Sequence, residues 1–252
     1  MSNEERVEEK ISFWEQLKED FYVPKNNDPA LDTNLELFFN YPGVWAIINY
    51  RIANKLYYKG WKKLSRVVSG ISSFLTKTDI HPACTIGRRV FIDHAIGVVI
   101  GATAIIEDDV LIYQGVTLGG VSLNKGKRHP TVKSNTVIGS GAKVLGNITI
   151  GANSKVGANS VVVCDVPDNS TAVGVPARII KKDDKNCKLA HGDLPDINKE
   201  MFKYLLDRIH LVEIALKEED GIDLTQKDEK LENDYNSFIE AMNSIKRKDS
   251  WI

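Results

Sequence analysis

The sequence has 252 residues, enough for one domain with a substantial core or for a main domain with helical additions. Its 33 Lys and Arg residues nearly balance its 34 Asp and Glu residues, so no excess charge would attract nucleic acid or an anionic membrane. The composition therefore favours a small-molecule substrate and predicts neither a nucleic-acid nor a membrane partner.

The first residues, MSNEERVEEK, lack the basic start and apolar run of a signal peptide. The most apolar stretch, residues 35–50, is interrupted by Glu36, Asn40, Pro42 and Asn49, so it is not a candidate membrane span. We expect a cytoplasmic protein.

Residues 1–78 are predicted to form a helical N-terminal region. Ser2 and Glu5 match a capping box at the start of a first helix, and apolar residues follow at helical spacing as far as Phe21. A polar break is expected at about 24–29. A second helix follows it and ends at Gly60, and a third helix covers about 61–75.

Residues 79–180 are dominated by a repeat of six residues. Six is neither the helical period of about 3.6 nor the strand period of about 2, and so short a repeat is typical of a chain wound around its own core. The segment therefore predicts a hexapeptide parallel β-helix, in which residues about eighteen positions apart stack on successive turns. The repeated positions, with Ala104 as the weak member, are Ile80, Ile86, Ile92, Val98, Ala104, Val110, Val116, Val132, Ile138, Val144, Ile150, Val156 and Val162.

The repeat is interrupted once, between Val116 and Val132, which are sixteen positions apart. The excess length predicts a loop at about 121–131 with the sequence VSLNKGKRHPT. Loops that leave a solenoid commonly carry binding chemistry. After Val162 the period ends, and the residues up to 180 are expected to cover the open end of the coil.

Residues 181–252 are predicted to contain a linker, a helical hairpin and a mobile tail. Two apolar stripes at helical spacing mark the hairpin, one at 201–216 and the other at 231–245. We expect the hairpin to pack on the body of the protein or on a neighbouring subunit.

Three cysteines, Cys84, Cys164 and Cys187, are odd in number and widely separated. This pattern suits neither a disulfide framework nor a thiolate metal site. We therefore expect buried or incidental thiols and no bound metal.

Three short clusters place ionisable side chains where the repeat would accept small residues: Asp79-Ile80-His81-Pro82, Asp93-His94 and Arg128-His129-Pro130. Asp79 and His94 are fifteen positions apart, which predicts adjacent turns near one corner of the coil. A carboxylate that reaches an imidazole fixes its tautomer and stabilises its charged form, as a general base near neutral pH requires. Spacing alone leaves the alternative open that these side chains are merely solvated.

The run DIHPACTIGRRVFIDHAIGVVIG, followed by VTLGG, RHP, IGSGAKVLGN and VGVPARI, closely resembles the bacterial and plant serine O-acetyltransferases. The likeness extends upstream to NNDPALD and covers roughly residues 26–180. Hexapeptide repeats alone would indicate only the acyltransferase superfamily, whereas DIHP, DHA and the loop from GG to RHP together indicate this member. The resemblance implies a left-handed β-helix, usually trimeric, although the general preference for right-handed crossovers would suggest the opposite hand.

The resemblance also implies a role for each matched residue. His94 is the general base and Asp79 orients it. An amino-acid substrate offers an ammonium group to aspartates and a carboxylate to a guanidinium, which agrees with the residues implied to hold it: Asp28, Asp93, Arg128 and His129. The residues implied to hold coenzyme A in a groove between subunits are Gly119, Gly120, Ser140, Gly141, Lys155 and Arg178.

The implied reaction transfers the acetyl group of acetyl-CoA to the hydroxyl of L-serine and gives O-acetylserine for cysteine biosynthesis. Acetyl-CoA is the co-substrate, and no metal is implied. The resemblance further implies feedback inhibition by L-cysteine, a homotrimer with active sites between neighbouring coils, and binding of the C-terminal Ile252 to O-acetylserine sulfhydrylase. A hexamer is the alternative assembly if the C-terminal hairpin joins two trimers.

Two departures from the family pattern lie near these residues. Relatives commonly have GGTGK where this chain has Gly119-Gly120-Val121-Ser122-Leu123, so a hydroxyl near the acyl chain is lost. Ala102 stands where relatives often have Glu. The acyl site is therefore expected to differ in detail.

Two other functions are compatible with the repeat. Another hexapeptide acetyltransferase would use His94 to acetylate a sugar or an antibiotic. A γ-type carbonic anhydrase-like metalloenzyme would place His81, His94 and His129 around a metal between subunits.

Overall fold

The computed structural model describes residues 11–181 and 197–219. The chain divides into two compact units, residues 1–193 and 194–252. The helices of the described residues are α1 (Phe13–Tyr22), α2 (Pro24–Asn27), α3 (Asn34–Asn40), α4 (Pro42–Tyr58), α5 (Lys62–Thr76) and α6 (Ile197–Glu219).

The first described helix begins with a capping box. The Ser12 hydroxyl accepts from the Glu15 N–H at 3.2 Å, and the Glu15 carboxylate accepts from the Ser12 N–H at 2.7 Å. The predicted capping box at Ser2 and Glu5 lies outside the described residues. Helix α1 therefore starts at Phe13 in the described part of the chain.

The second and third predicted helices are confirmed as α4 and α5, and Gly60 between them has a φ of +92°, a left-handed conformation that favours glycine. The predicted polar break is not all loop, because it contains the short helix α2, and α3 follows before α4. Pro24 and Pro42 open α2 and α4, where a missing N–H costs nothing.

A buried ion pair fixes the helices to the first turn of the coil. Arg51 Nε of α4 lies 2.9 Å from Asp20 Oδ2 of α1. The same guanidinium donates to the backbone carbonyls of Ile86 and Gly87. Its donors are thus satisfied from both sides, which is the condition under which a buried charge is tolerated.

Thirteen short parallel strands form the coil, and two longer ones close it. They are β1 (Asp79–Ile80), β2 (Thr85–Ile86), β3 (Phe91–Ile92), β4 (Val99–Ile100), β5 (Ile105–Ile106), β6 (Leu111–Ile112), β7 (Thr117–Gly119), β8 (Thr131–Val132), β9 (Val137–Ile138), β10 (Lys143–Leu145), β11 (Thr149–Ile150), β12 (Lys155–Val156), β13 (Val161–Val162), β14 (Ser170–Gly174) and β15 (Ala177–Lys181).

The strands stack into three parallel sheets, the faces of a triangular prism. Sheet A has the order β1-β4-β7-β10-β13, sheet B has β2-β5-β8-β11, and sheet C has β3-β6-β9-β12-β14 with β15 antiparallel at its end. The antiparallel pair β14 and β15 closes sheet C, as expected for the residues after Val162.

Every strand of the coil from β1 to β13 turns one aliphatic side chain into the prism, each at most 5% exposed. The inward residues are Ile80, Ile86, Ile92, Ile100, Ile106, Ile112, Leu118, Val132, Ile138, Val144, Ile150, Val156 and Val162.

This set corrects the predicted series between β3 and β8. The inward residues of β3 and β4, Ile92 and Ile100, are eight positions apart because the corner between them carries two extra residues. Four residues predicted as inward strand positions are buried instead in the corners, two positions before the inward residue: Val98, Ala104, Val110 and Val116. In these hexads the corner position and the inward strand position are both apolar. The six-residue period of the sequence therefore continues across the two inserted residues, although the inward residue has changed.

The number of residues between paired strand positions shows the same two interruptions of the repeat, the insertion before β4 and the loop after β7. Val99 pairs with Thr117, eighteen positions later, whereas Asp79 pairs with Val99 across twenty. Across the loop, Thr117 pairs with Lys143, which is twenty-six positions later. The loop joins β7 to β8 at residues 120–130, close to the predicted 121–131.

Helix α6 spans the whole of the first predicted stripe of the hairpin, and the second stripe lies outside the described residues. None of the helices in the described segments is both long enough and apolar enough to span a membrane.

Candidate active site

The corner between β3 and β4 projects His94 from the coil. His94 and Ala95 have φ values of 57° and 62°, and tight turns follow in which the Ala95 N–H donates to Asp93 O at 2.7 Å and the Ile96 N–H donates to His94 O at 2.8 Å. The two inserted residues thus form a left-handed bulge, and the His94 side chain is 72% exposed. An exposed imidazole in this position is accessible to a substrate.

Two carboxylates and a phenol lie beside His94. Asp93 Oδ2 is 3.8 Å from His94 Nε2. Asp28 accepts from the Tyr41 hydroxyl at 2.6 Å through one oxygen and from the Ala30 N–H at 2.8 Å through the other, so its carboxylate is held in one orientation. We call this group, with residues 93–97, the acid corner.

The pKa values show that the groups of the acid corner share one electrostatic environment. Burial raises the pKa of the Asp93 carboxyl, and the Asp28 charge adds to the rise while His94 opposes it. Burial and then the charges of Asp93 and Asp28 raise the pKa of Tyr113. Such a site has an excess of negative charge and suits a cation.

Tyr41 and Tyr113 are site residues that the sequence prediction missed. Tyr41 precedes Pro42 at the start of α4, and Tyr113 follows β6 in the turn of the coil above Asp93. Burial raises the pKa of the Tyr41 hydroxyl, and the hydrogen bond to Asp28 raises it further, so the phenol stays protonated as a donor. No periodicity signals either residue, because each reaches the corner from a different element.

Asp79 lies on the outer face of sheet A, where it opens β1 and pairs with Val99. Within the described residues, no ion pair joins its carboxylate to His94, whose acidic neighbour is Asp93. Burial and then Arg66 lower the pKa of His81, and the charge of Asp79 opposes them. The role of Asp79 in orienting His94 therefore stays a prediction.

The loop returns to the coil at the corner between sheets A and B, where Thr103 binds Arg128 and His129. The Thr103 hydroxyl accepts from the Arg128 N–H at 3.0 Å and from the His129 N–H at 3.2 Å. It also lies 2.8 Å from His129 Nδ1, to which the Thr103 N–H donates at 3.2 Å. We call residues 101–103 with 127–130 the loop corner.

These contacts fix the chemical state of His129. Because a backbone N–H donates to Nδ1, this atom is the acceptor, and the neutral ring carries its proton on Nε2. Burial, then Arg128 and Lys127, lower the pKa of His129, so the ring is neutral at pH 7. Nε2–H is then the remaining donor of the ring.

The His129 ring lies so close to Gly101 that a Cβ there would be 1.9 Å from His129 Cδ2. Only glycine leaves room for the ring. Arg128 lies against Gly120, and its guanidinium donates to the Asn124 carbonyl at 2.9 Å. The Lys127 ammonium donates to the carbonyls of Thr103 and Pro130, so the loop corner is basic and tied down.

The residues predicted to hold coenzyme A do not form one group within the described chain. Gly119 and Gly120 lie at the loop corner, and Ser140 and Gly141 lie above the acid corner. Lys155 and Arg178 belong to β12 and β15 of sheet C.

A column of glycines runs up the acid corner. Gly97, Gly115 and Gly141 have φ values of 76°, 71° and 70° and stack on successive turns, with the ideal Cβ position of each lower glycine 3.6 and 3.4 Å from the Cα of the next. The column has no side chains, so a ligand could approach the backbone beside His94.

The two corners lie at opposite edges of sheet A. Residue 96 precedes β4 and residue 101 follows it, so the two corners are separated by one face of the prism, at most roughly 17 Å along the chain. The ammonium and carboxylate of an amino acid are separated by one carbon atom. The charges that suit the two ends of an amino acid therefore lie at different corners of the chain.

Comparison with known proteins identifies the family of the chain. The family model described as bacterial transferase hexapeptide (six repeats) matches residues 129–164. A serine acetyltransferase from Bacillus subtilis (strain 168) is 49% identical over 199 residues, which are 78% of this chain and 92% of the relative. The chain belongs to the serine acetyltransferase family.

Further members of the family resemble the chain over similar lengths. A serine acetyltransferase from Synechococcus elongatus is 44% identical over 217 residues, 86% of this chain and 88% of the relative. The solved complex of a serine acetyltransferase with cysteine is 43% identical, with a TM-score of 0.66 over 71% of this chain and 69% of that one. The Brucella abortus strain S19 enzyme in complex with coenzyme A is 43% identical, with a TM-score of 0.65 over 67% and 68%.

These likenesses confirm the predicted left-handed parallel β-helix with N-terminal helices and the predicted serine O-acetyltransferase, an acyltransferase. They favour this function over acetylation of a sugar or antibiotic and over a carbonic anhydrase. In the described ranges, no group of three His, Cys, Asp or Glu side chains is placed to hold a metal ion.

The contacts of Thr103 predict that its hydroxyl positions Arg128 and His129, the residues predicted to hold the serine carboxylate. Thr103→Val keeps the side-chain shape but leaves two N–H groups without their acceptor, so the KM for serine should rise about tenfold or more while kcat changes less. Steady-state kinetics at saturating acetyl-CoA measures this.

Thr103→Ser is the matched control, because it retains the hydroxyl, and it should have near wild-type KM. The ¹⁵N chemical shift of His129 Nδ1 should also change in the Thr103→Val protein. A loss of structure elsewhere in the protein would not change this shift. An unchanged KM for serine in Thr103→Val would contradict the assignment.

Proposed function

We propose that the serine O-acetyltransferase site is formed where the acid corner of one copy meets the loop corner of the next. The observation that supports this is the separation of opposite charges at the two edges of sheet A. Asp28 and Asp93 suit the ammonium of L-serine, and Arg128 with His129 suits its carboxylate. Because the two sets of charges lie at different corners of one chain, we propose that two neighbouring copies supply them.

Repeating this contact by rotation closes a ring, since each copy presents one corner to each neighbour. The family resemblance sets the number at three, so the proposed assembly is a homotrimer. A hexamer is the alternative if a second surface joins two trimers. Cytoplasmic location stays a prediction of the sequence.

In the proposed reaction, His94 accepts the proton of the serine hydroxyl while the serine oxygen attacks the thioester carbon of acetyl-CoA. The new C–O bond gives a tetrahedral intermediate whose oxyanion takes the charge. When the C–S bond breaks, the CoA thiolate receives the proton from His94, and O-acetylserine remains. The thioester is already activated, so a base, alignment and oxyanion stabilisation suffice.

The remaining residues position the reactants. Tyr41 and the Ala30 N–H hold the Asp28 carboxylate toward the ammonium. Asp79 is proposed to orient His94. The glycine column leaves backbone groups beside His94 open to the pantetheine arm, with the predicted coenzyme A residues Gly119, Gly120, Ser140, Gly141, Lys155 and Arg178 along the groove.

His94→Ala should lower kcat by roughly two to four orders of magnitude, because it removes the general base. Arg128→Ala should be nearly inactive at low serine, because it removes the carboxylate partner. When the two variants are co-expressed or refolded together, about a quarter of the sites in random trimers combine an intact acid corner with an intact loop corner. Activity should recover to that fraction of wild type, as thiol release from acetyl-CoA measures.

The control mixes His94→Ala with the double variant His94→Ala/Arg128→Ala, which supplies no intact acid corner. It should recover no activity. If mixed trimers form, as mass spectrometry of differently tagged chains can verify, and the first pair also recovers no activity, the shared site is wrong.

We further propose that L-cysteine competes with L-serine at this site. The solved relative in complex with cysteine supports it, and the two amino acids present the same ammonium and carboxylate. Inhibition should be competitive against serine, and 3-mercaptopropionate, which lacks the ammonium, should inhibit at least tenfold less strongly, because it forfeits the acid corner. Equal inhibition by the two thiols, or inhibition that serine does not relieve, would contradict the proposal.

The O-acetylserine sulfhydrylase complex through Ile252 is proposed from the family resemblance alone, and Ile252 lies outside the described residues. Deletion of Ile252 should abolish co-purification with the sulfhydrylase while acetyltransferase activity is unchanged. Ile252→Val, which keeps an apolar side chain beside the terminal carboxylate, should still bind. Undiminished binding by the deleted chain would reject the proposal.

A further inference from the structure

Lys143 places an ammonium group at the glycine column of the acid corner. It is the first residue of β10, and it lies on the outer face of sheet A because the next residue, Val144, points inward. Its Nζ donates to the carbonyl of Gly115, the middle glycine of the column. The ideal Cβ position of Gly97, three residues after His94, is 3.6 Å from Gly115 Cα. The ammonium therefore lies one turn of the coil above the bulge that projects His94.

The Lys143 ammonium has no carboxylate partner among the residues that the structure describes, where its hydrogen bond goes to the Gly115 carbonyl. An ammonium has three N–H donors, so the half-buried Lys143, which uses one of them on this carbonyl, can still donate to an anionic ligand. Other cations of the coil have carboxylates at 2.6–2.9 Å, and these pairs are Arg88 with Glu19, Arg89 with Asp109 and Lys133 with Glu107.

Positive and negative groups lie on opposite sides of His94. Asp93 follows β3 on the sheet C side of the corner, and Lys143 lies on the sheet A side. Negative charge that develops beside His94 is repelled by the Asp93 carboxylate and attracted by the Lys143 ammonium. An anionic reacting group is therefore better stabilised on the sheet A side of His94.

The order of groups along the corner places the thioester beside Lys143. In the proposed function His94 meets the serine hydroxyl, and the predicted coenzyme A residues Ser140 and Gly141 lie two turns above the bulge. Gly115, which holds the ammonium, belongs to the turn between them. The thioester connects the attacking serine oxygen to the pantetheine arm, so its carbonyl has to pass this intermediate turn.

We propose that Lys143 is a catalytic residue that stabilises the oxyanion of the tetrahedral intermediate. The inference rests on the proposed function and names the group that stabilises its developing charge. As the serine oxygen bonds to the thioester carbon, the π electrons of the carbonyl move to its oxygen, which accepts a hydrogen bond from the ammonium. Lys143 keeps its proton throughout. When the electrons return, the C–S bond breaks and the thiolate takes the proton that His94 holds.

Neutral and charged replacements of Lys143 test this role. Lys143→Met removes the charge, and its kcat should fall about a hundredfold, the usual loss when one oxyanion donor is removed. The KM values for serine and acetyl-CoA should change about threefold or less, because the interaction forms mainly in the transition state. Lys143→Arg keeps a cation and should lose about tenfold or less in kcat. Lys133→Met, at a coil lysine paired with Glu107, is the matched control and should keep the wild-type kcat.

A small amine that replaces the lost group distinguishes catalysis from folding. Ethylammonium added to Lys143→Ala should raise kcat about tenfold and in a saturable manner, because it can donate an N–H to the oxyanion from the space that the side chain leaves. Tetramethylammonium has the same charge but no N–H donor, and it should not raise kcat. The measurement is formation of O-acetylserine rather than thiol release, because an amine can itself accept an acetyl group from acetyl-CoA.

Three results would overturn the proposal. The first is a wild-type kcat in Lys143→Met. The second is a raised KM for acetyl-CoA with unchanged kcat, which would assign the ammonium to a phosphate of coenzyme A. The third is a loss of kcat that Lys143→Arg shares and ethylammonium does not restore, which would mean that Lys143 only shapes the corner.

The outcomes also separate this inference from the proposed function. If Lys143→Met keeps the wild-type kcat while His94→Ala loses it, the proposed reaction stands and the role of Lys143 is wrong. If Lys143→Met loses kcat and ethylammonium rescues Lys143→Ala, but the mixture of His94→Ala and Arg128→Ala recovers nothing, the role of Lys143 stands and the shared site is wrong.

Discussion

The structure depends on one constraint, the burial of one aliphatic side chain from each strand at intervals of six residues. Stacking these side chains on successive turns gives a continuous core, and the parallel ladders between turns satisfy the backbone. A coil built this way has little tolerance for extra residues inside its strands. Any insertion must leave the coil at a corner, where it cannot disturb the stacked core, so departures from the period are where side chains become available for chemistry.

Both departures in this chain carry charged groups, and they leave the coil at different corners. The two residues inserted before β4 expose His94 beside Asp93, and the loop after β7 returns with Arg128 and His129. Their separation across sheet A keeps the guanidinium from pairing with the carboxylates of its own chain, a pairing that would neutralise both halves of the site. In the proposed site, these charges of two neighbouring copies meet at one zwitterionic substrate.

The helices complete the site from outside the repeat. Asp28 comes from the segment after α2, and Tyr41 at the start of α4 fixes its orientation. The buried pair of Arg51 and Asp20 holds α4 and α1 against the first turn of the coil, through the bonds of Arg51 to the carbonyls of Ile86 and Gly87. Thr103 holds the loop corner in a corresponding way, where a single hydroxyl contacts the backbone of Arg128 and of His129 and the ring of His129.

The sequence by itself determined the β-helix, the exit point of the loop and, through its motifs, the family and most of the residues assigned to the site, because a six-residue period and short motifs are local patterns. It did not reveal that the inward series moves to Ile100 after the insertion, since the corner residues are apolar as well. Only the tertiary structure placed Tyr41, Tyr113 and Thr103 at the two corners, because each approaches from an element distant in sequence. It also decided that Asp93 is the acidic neighbour of His94 within one chain and that α5 buries its serines, because both depend on how a turn or helix is oriented against its neighbours, which a linear pattern does not encode.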